Sequence, residues 1–397
     1  MGAQPRLISI DEARERVLAE VRSLPSEEVE LPAALGRVLS EGAVAEQDLP
    51  PFDASAMDGF AVPAGEPGAL RIGGESRAGA PATSPLAPGT AFRISTGAVV
   101  PDGTHAVVPV EATEERDGEV IVPESAAGAN VRLAGEDVRA GETVLAAGTE
   151  IEAAELAVLA SLGAAAVSCA RRPRVAVLAT GDELVEPGAA LAAGQIRNSN
   201  AYGVAAQATR AGAEVVERGR VPDDRDATRA ALTAALSDAD VVCVSGGVSV
   251  GPHDHVRPAL AELGVTERFW GVRLQPGKPT WFGARDETLV FGLPGNPVSA
   301  MVTFHLFARP AIRALQGADP GIHLGVARLG EPLRRNPKRD QMVRVRLERG
   351  DDYWIARPTK AQMSHVLTSM LGADALARVP AGDGDIGAGE RIDIELL

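Results

Sequence analysis

The sequence predicts a multidomain α/β protein whose central domain is a doubly wound parallel sheet. The first observation is length, because 397 residues exceed the ~250–300 at which a single hydrophobic core stops growing. The second is an alternation of apolar, strand-like runs with helical patterns between residues 171 and 316. The third is a change of pattern on both sides of this region, where short strands are interrupted by Gly and Pro. We therefore expect smaller β-rich modules around a central α/β domain.

The chain divides into four predicted domains. The first is discontinuous, because a helical stretch at 150–163 is expected to return to the opening segment after a β-rich insertion. A helix at 9–23 begins with Ser9 and Glu12 in the spacing of a capping box. The predicted boundaries are 1–45 with 147–170 for an N-terminal α+β segment, 46–146 for an inserted all-β domain, 171–316 for the α/β domain and 317–397 for a C-terminal β-barrel-like domain.

The central domain follows a strand–helix alternation. Near-continuous apolar runs at 175–179 and 241–244 are typical of parallel strands that are buried on both faces. Pro297 suits the first position of a helix, where its missing N–H costs nothing. The expected strands are 174–179, 214–221, 240–245 and 288–292, and the expected helices lie near 200–212, 224–237 and 255–263, from Pro297 onward and, in the last domain, at about 363–372.

Composition excludes several classes of protein. A formal net charge of −15 and only 3% aromatic residues argue against nucleic-acid and anionic-membrane partners, because these need basic surfaces and stacking rings. Cys169 and Cys243 both lie in apolar, strand-like surroundings, which disfavours a disulfide framework or a zinc site. The sequence has no apolar run of ~18 residues and no signal-peptide pattern, so we expect a soluble, cytoplasmic protein.

Three glycine-bearing turns follow predicted strands of the central sheet, at 180–183, 245–249 and 294–299. Ligands of open α/β sheets bind outside the carboxyl ends of the strands, which is where such turns lie. Glycine lets backbone amides approach a ligand closely, and nearby acids can hold a divalent ion. The third turn also starts a helix, whose first amides favour anions, although a rigid turn is the plain alternative. The pattern predicts an anionic, phosphorylated substrate.

Charged residues near these turns each have two interpretations. Asp254 suits Mg²⁺ binding or helix capping, and N-capping explains Asp223 almost as well as metal binding does. Lys278 lies between two prolines and can act as a fixed charge for an oxyanion, although a lone lysine is usually only solvated. Segment 328–349 carries eight Lys and Arg against three acids, which favours an anion contact over a solvated face.

The sequence lacks the common nucleotide and hydrolase motifs. Walker A, strand-borne GxGxxG, HExxH and GxSxG patterns are all absent. The β-rich insertion carries two further motifs, at 50–62 and 93–108. Taken alone, the first is a loop dense in turn formers and acids, and the second opens as an ordinary strand end.

Together these motifs resemble the molybdopterin molybdenumtransferase family, the molybdenum insertases called MoeA in bacteria and matched by the E domain of gephyrin. The resemblance covers essentially the whole chain, and the motifs occur in one order with plausible spacing. They are PPFDASAMDGFAV (50–62), RISTGAVVPDGTHAVV (93–108), ATGDEL (179–184), SGGVSVGPHD (245–254), PGKP (276–279) and LPGNPVSA (293–300).

The resemblance implies an elongated homodimer of four-domain subunits. Its active cleft would lie between the sheet domain of one subunit and the β domain of its partner. The implied reaction takes adenylylated molybdopterin and molybdate, cleaves the adenylate to AMP, and leaves molybdenum on the dithiolene with the help of Mg²⁺. Molybdopterin adenylyltransferase and apo-molybdoenzymes are the implied transient partners.

The resemblance also implies roles for individual residues. Asp58, Glu183, Asp254 and Lys278 correspond to catalytic positions, and Glu183, Asp254 and Asp223 correspond to metal ligands. The implied substrate-binding residues are Thr96, Asp137, Thr180, Gly181, Asp182, Ser245, Gly246, Gly247, Ser249, Pro294, Gly295, Asn296, Pro297, Ser299, Arg339 (or Arg344) and Ser364.

Gln275 departs from the family pattern, because many relatives carry Lys there. The anion site is neutral at this position, and loss of a charge-assisted contact costs ~1.5–3 kcal/mol unless another base compensates. Arg273 is the expected substitute.

Two other functions remain open at this stage. The Gly-rich turns also resemble those of the CinA family, which implies a nucleotide hydrolase or deamidase. The four-domain layout and the motifs at 50–62 and 293–300 favour the insertase over that alternative. A protein-binding scaffold like the gephyrin E domain is the third interpretation.

Overall fold

The structure, a computed structural model, describes residues 7–248, 254–359 and 361–397. None of the helices in these ranges is long and apolar enough to cross a membrane. A π-helix occupies Phe304–Ala308, and short 3₁₀ turns occupy Leu31–Ala33, Val110–Ala112 and Leu367–Met370. The α-helices are α1 Ile10–Ala19, α2 Ala153–Ser161, α3 Asn200–Arg210, α4 Arg225–Asp238, α5 Val256–Glu262, α6 Pro297–Thr303 and α7 Arg309–Leu315.

The strands fall into three groups along the chain. Before the central domain they are β1 Ser26–Glu30, β2 Ala43–Val44, β3 Ala54–Ser55, β4 Gly59–Val62, β5 Gly68–Ser76, β6 Thr90–Ile94, β7 Ala106–Pro109, β8 Glu114–Arg116, β9 Glu119–Val122, β10 Val131–Arg132, β11 Thr143–Leu145 and β12 Ala166–Ala170. The central group is β13 Arg174–Thr180, β14 Leu184–Val185, β15 Ile196–Arg197, β16 Glu214–Val221, β17 Val241–Ser245, β18 Thr266–Trp270, β19 Leu274–Gln275, β20 Trp281–Arg285 and β21 Thr288–Leu293. The last group is β22 Leu324–Leu329, β23 Leu333–Arg334, β24 Asp340–Arg349, β25 Trp354–Pro358, β26 Ala375–Val379, β27 Asp385–Ile386 and β28 Arg391–Leu396.

The central sheet has the order β16-β13-β17-β21-β20-β18. Its first four strands are parallel, as predicted, and their boundaries agree with the sequence pattern within two residues. β20 and β18 form an antiparallel extension of the sheet that was not predicted from the sequence. Asp286 and Glu287 are the two residues between β20 and β21, and a connection this short joins only antiparallel strands.

Helices cover both faces of this sheet. Val175 and Val177 face one core, which also contains residues of α3 and α6, while Leu178 faces another with α4 and α5. Side chains of β13 alternate between the two cores because successive residues of a strand point to opposite faces. α1 packs on the first core through Ile10 and Val17, so this helix lies against the α/β domain rather than against the N-terminal strands. Ser9 accepts a hydrogen bond from the Glu12 amide, which is the first half of the expected capping box.

The chain returns to its first module after the β insertion. β1 pairs with β12, β2 pairs with β11, and Val29, Leu39, Ile151, Leu159 and Cys169 share one core. Between them, the insertion forms a sheet of order β7-β4-β6-β5-β9-β8 with a separate β3–β10 pair. The insertion is all-β apart from a 3₁₀ turn, as the Gly and Pro spacing predicts.

The C-terminal module is a closed five-stranded barrel. β24, β25, β22, β28 and β26 pair in this order, and β26 pairs back with β24. The helix predicted at about 363–372 is wrong, because only the 3₁₀ turn at Leu367–Met370 forms. The Ser364 carbonyl accepts a hydrogen bond from the Val298 amide of α6, so it is not available to a helix in its own segment. Gly372, with a φ of +68°, ends the segment.

Candidate functional site

The predicted glycine turns meet at one edge of the central sheet. β13, β17 and β21 run parallel, so the turns that follow them share the carboxyl edge. The Gly246 amide donates to the Leu293 carbonyl over 3.1 Å, which ties the second turn to the third strand. The sequence therefore identified three segments that are far apart in the chain and adjacent in the fold.

Gly246 is required by the geometry of this edge. Its φ is +91°, a conformation that residues with a side chain rarely adopt. A Cβ added there would lie 2.7 Å from Thr180 Oγ1 and 2.9 Å from the Thr180 carbonyl oxygen. The first two turns can approach each other only because this position carries no side chain.

Asn200 links the second and third turns. Its Nδ2 donates to Ser245 Oγ over 2.8 Å and to the Gly295 carbonyl over 2.7 Å. Ser245 Oγ in turn donates to the Pro294 carbonyl over 3.1 Å. Asn200 was not predicted as a site residue, although the polar run 198–200 at the start of α3 is a signal that could have identified it.

The turns line a cleft of about 630 Å³, which we call the turn cleft. Its polar wall combines backbone amides with acidic, amide and guanidinium side chains. It is lined by Thr180, Gly181, Glu183, Leu184, Ile196, Arg197, Ser199, Asn200, Asp223, Ser245, Gly246, Gly247, Asp254, Gly295, Asn296, Pro297 and His365.

The three predicted metal ligands, Glu183, Asp223 and Asp254, all line the turn cleft. Among the described residues, however, no three acidic, His or Cys side chains converge as a ready metal cage. Mg²⁺ commonly takes one or two carboxylates together with water and substrate phosphates, so the chemistry of these donors suits that ion. Glu183 folds back over Gly181, where an added Cβ would clash with its carboxylate.

A second cleft of about 580 Å³ adjoins the first, and we call it the lysine cleft. Asn296 and His365 line both clefts, so the two spaces meet at these side chains. The lysine cleft is lined by Gln275, Pro276, Gly277, Lys278, Pro279, Pro294, Asn296, Ser299, Arg339, Gln362, Met363, Ser364 and His365.

Asn296 connects the third turn to the C-terminal domain. Its Nδ2 donates to Ser364 Oγ over 3.1 Å, and it makes no side-chain cap on α6. The Val298 amide donates to the Ser364 carbonyl. In the first turn of α6, only the Ser299 amide has no backbone acceptor among the described residues. The start of this helix therefore offers an anion fewer free amides than the sequence predicts.

Gln275 is held by Asn336 in the wall of the lysine cleft. Asn336 Nδ2 donates to Gln275 Oε1 over 2.6 Å, which leaves the amide nitrogen of Gln275 as the group that can donate into the cleft. Asn336 Oδ1 also accepts from the backbone amide of Arg339. Arg273 was expected to replace the missing charge, but that expectation is wrong, because Arg339 lines the cleft and Arg273 does not.

Comparison with known proteins decides which family has this arrangement. Family models match residues 8–163 (MoeA N-terminal region, domain I and II), 176–314 (probable molybdopterin binding domain) and 326–397 (MoeA C-terminal region, domain IV). A molybdopterin molybdenumtransferase of Haemophilus influenzae is 35% identical over 98% of both chains. The chain belongs to the MoeA family of molybdopterin molybdenumtransferases. This confirms the resemblance drawn from the motifs.

Further relatives extend the match to the whole architecture. Molybdopterin molybdenumtransferase 2 of Mycobacterium tuberculosis is 37% identical over 96% of this chain and 97% of its own. A crystal structure of a MoeA protein from Pyrococcus horikoshii superposes with a TM-score of 0.85 at 29% identity, over 99% of this chain and 100% of the other. A second structure from that organism gives 0.83 at 32% identity, over 98% and 99%. The family is one of transferases in molybdenum cofactor biosynthesis.

Most of the residues carried over from the MoeA motifs gather in the two clefts. The exception within the turns is Asp182, which lines neither cleft and accepts a hydrogen bond from the Asp223 amide. Ser249 lies outside the described residues. The cleft-lining set is Thr180, Gly181, Glu183, Asp223, Ser245, Gly246, Gly247, Asp254, Lys278, Pro294, Gly295, Asn296, Pro297, Ser299, Arg339 and Ser364.

Arg344, the alternative to Arg339, is a structural residue. It is only 1% exposed, and its guanidinium donates to Ser369 Oγ and to the Ala361 carbonyl inside the C-terminal module. Burial lowers the pKa of Arg344 to about 10. Arg344 does not line the lysine cleft, so this alternative is wrong.

Three of the predicted site residues lie in the β insertion and line neither cleft of the same chain. Asp58 and Thr96 are exposed neighbours, since the Thr96 amide donates to Asp58 Oδ1 over 2.7 Å. Asp137 is also exposed.

Arg197 and His365 were missed by the sequence analysis. Arg197 reaches the turn cleft from β15, and His365 comes from the C-terminal module. Neither residue lies within a motif that the sequence analysis singled out.

Proposed function

We propose that this chain inserts molybdenum into molybdopterin from the adenylylated cofactor and molybdate, with release of AMP and with Mg²⁺ as the assisting ion. Membership of the family gives the general activity. The choice of adenylylated molybdopterin and molybdate as reactants is supported by one observation, which is that two different clefts meet at Asn296 and His365. One cleft suits a phosphorylated cofactor and the other suits an oxyanion. Reactants bound in both would face each other across two side chains.

The turn cleft suits the adenylylated cofactor. Its strand-end position and glycine turns are the setting in which α/β sheets bind phosphorylated ligands. Bound Mg²⁺ would neutralise phosphate charge there, and Glu183, Asp223 and Asp254 are the side chains that would hold it. Cleavage of the phosphoanhydride adds one water across the P–O–P bond, and the same carboxylates can accept the proton that this water releases.

The lysine cleft suits molybdate. Lys278 and Arg339 supply positive charge, while Gln275 and Ser364 supply neutral donors. Molybdate and a pyrophosphate bridge repel each other in solution, and fixed donors offset that repulsion when both reactants are bound. When two Mo–S bonds form, one oxo ligand leaves molybdenum as water, and the two dithiolene thiols can supply its two protons.

The β insertion is proposed to complete the cleft of a second copy. Asp58 and Thr96 form an exposed polar pair that lines neither cleft of their own chain. Phe52 and Met57, on the same loop, are exposed by 39% and 42%. Large exposed apolar side chains beside polar ones mark contact surfaces, which supports a homodimer. Molybdopterin adenylyltransferase and apo-molybdoenzymes are the proposed transient partners.

The test is a defined reaction with the purified protein. Adenylylated molybdopterin, molybdate and Mg²⁺ are supplied, and AMP release is followed together with reconstitution of an apo-molybdoenzyme. We expect molybdate-dependent AMP release in step with reconstitution, and loss of both when Mg²⁺ is chelated. AMP release without any active molybdoenzyme, or no turnover at all, would contradict the proposal.

A further inference from the structure

A third cavity lies between the helical layer of the central domain and the C-terminal module. Its volume is about 250 Å³, and it shares no lining residue with the turn cleft or the lysine cleft. We call it the basic cavity, after the Arg and His side chains that line it. Its principal residues are Arg210, His305, Arg309, His323, Met301 and Met370.

No acidic side chain of the described residues lines the basic cavity. Within the described ranges, neither Arg210 nor Arg309 forms an ion pair, and the only side-chain hydrogen bond of Arg309 goes from Nη1 to the Gly321 carbonyl. The two acids whose charges act on Arg309 have other partners, since Glu395 pairs with Arg14 and Glu150 pairs with Arg313. Such a surplus is notable in a chain with a net charge of −15.

His305 forms a deeply buried polar wall of the cavity. It is 6% exposed, and its ring makes no hydrogen bond to any described residue. The pKa of His305 is lowered to about 3, chiefly by burial. The nearby charges of Arg309, Arg14 and Arg210, and then His323, lower it further. The ring is therefore neutral at pH 7 and offers one N–H donor.

Local helix geometry groups these side chains. Met301, His305 and Arg309 are spaced four residues apart and all line the cavity. The π-helix Phe304–Ala308 carries His305, and π turns often mark functional positions in helices. Arg210 approaches from the last turn of α3.

We propose that the basic cavity binds a small tetrahedral oxyanion, such as phosphate, sulfate or molybdate, at a site separate from the reaction clefts. Guanidinium groups match the oxygens of such anions, and the binding replaces the missing counter-charge. The volume lies below the roughly 300–1,000 Å³ of sites for drug-sized ligands, so the occupant is small. The adenylylated cofactor does not fit this description.

Methionine methyl signals allow the two anion sites to be observed separately. The protein has six methionines, of which Met301 and Met370 line the basic cavity and Met363 lines the lysine cleft. Full-length protein with ¹³C-labelled methionine methyls is titrated with millimolar inorganic phosphate at constant ionic strength. We expect saturable shifts of the Met301 and Met370 signals.

The main variant is Arg210→Gln, and the matched control is Arg229→Gln. Arg210 is exposed on α3 and Arg229 is exposed on α4, at the opposite face of the sheet. Neither forms an ion pair among the described residues, so neither change threatens the fold. Arg210→Gln should raise the Kd read from Met301 and Met370 about tenfold, because a charge-assisted contact is lost. Arg229→Gln should leave that Kd unchanged.

A Lys278→Ala variant separates this proposal from the proposed function. It should abolish the Met363 response to molybdate and leave the Met301 and Met370 responses intact. Parallel titrations with phosphate and molybdate show which anion binds more tightly. Met301 and Met370 signals that stay fixed in the wild type, or shifts that are equal in the wild type and Arg210→Gln, would overturn the proposal even if Met363 responds.

Discussion

Gln275 shows how one side chain sets the character of the lysine cleft. Its oxygen accepts from Asn336 over 2.6 Å, so its amide nitrogen is the donor left for a ligand. Asn336 also fixes the turn that carries Arg339, through the Arg339 amide at 3.1 Å. The cleft therefore combines one neutral donor with the charges of Lys278 and Arg339.

Gln275→Lys should strengthen molybdate binding. The added ammonium replaces a neutral donor with a charged one, and we expect the KM for molybdate to fall about tenfold. Steady-state AMP release at varied molybdate concentrations measures this. Arg273→Gln serves as the control and should leave the KM unchanged, because Arg273 does not line the cleft. A KM that responds to Arg273 and not to Gln275 would reverse the assignment.

His305 should make the protein less stable in mild acid. Its pKa is about 3 in the folded chain and near 6.5 when unfolded, so the unfolded state binds the extra proton between these values. Stability is unaffected by this group above pH 6.5 and falls as the pH drops, by about 2 kcal/mol at pH 5. Urea unfolding of the wild type and His305→Gln at pH 7.5 and pH 5 measures the difference. An equal loss of stability in both proteins would contradict the low pKa.

At the scale of elements, the turns are held together by close backbone approach. Gly246→Ala places a Cβ 2.7 Å from Thr180 Oγ1 at a φ of +91°. We expect a loss of at least about 1–3 kcal/mol in the free energy of unfolding.

Gly295→Ala is the matched control for that change. Its Cβ would meet only the Gly246 Cα, at 3.8 Å, and its φ is not positive. Its free energy of unfolding should stay close to that of the wild type. Equal loss of unfolding free energy in the two variants would show that the close approach at Gly246 does not determine the stability of the turns.

The sequence predicted the elements that carry the site, because their signals are local. Buried parallel strands are continuous apolar runs, and the turns at Gly181, Gly246 and Gly295 follow them directly. The antiparallel hairpin was missed because β20 begins two residues after Pro279, at the end of a Pro-rich segment that is typical of a loop. The predicted helix at 363–372 failed because its backbone is used by the neighbouring domain.

Contacts between distant segments set the limit of sequence prediction at the site. Asn200 acts on Ser245 and Gly295, and His365 reaches the clefts from a different domain. The spacing of residues along the sequence does not predict such contacts between distant segments. The same reason explains why Arg344 and Arg339 could not be told apart, since only burial separates them.

At the scale of the molecule, the chain displays its β insertion on a module that is separate from the clefts. β1 and β12 close the N-terminal module around the insertion, and Asp58 lies at an exposed turn before β4. This arrangement separates two groups of family motif residues within one chain. A second copy is the direct way to bring them together.

Mixed dimers should recover activity that their parents lack. Asp58→Ala and Glu183→Ala should each abolish molybdenum transfer without unfolding the protein. Co-expression at equal levels should restore roughly a quarter of wild-type activity, because half of the dimers are mixed and each contains one intact cleft of two. Differently tagged subunits allow the mixed dimer to be isolated and assayed. A mixed dimer as inactive as its parents would contradict a cleft in which Asp58 of one subunit acts with Glu183 of the other.

Two adjoining clefts divide the reactants in the proposed reaction, and the separate KM values of Lys278→Ala for molybdate and for adenylylated molybdopterin are the decisive measurement. Lys278→Ala should raise the KM for molybdate at least about tenfold and leave the KM for adenylylated molybdopterin nearly unchanged. If Lys278→Ala instead weakens the adenylylated cofactor and spares molybdate, the division of the two clefts is contradicted.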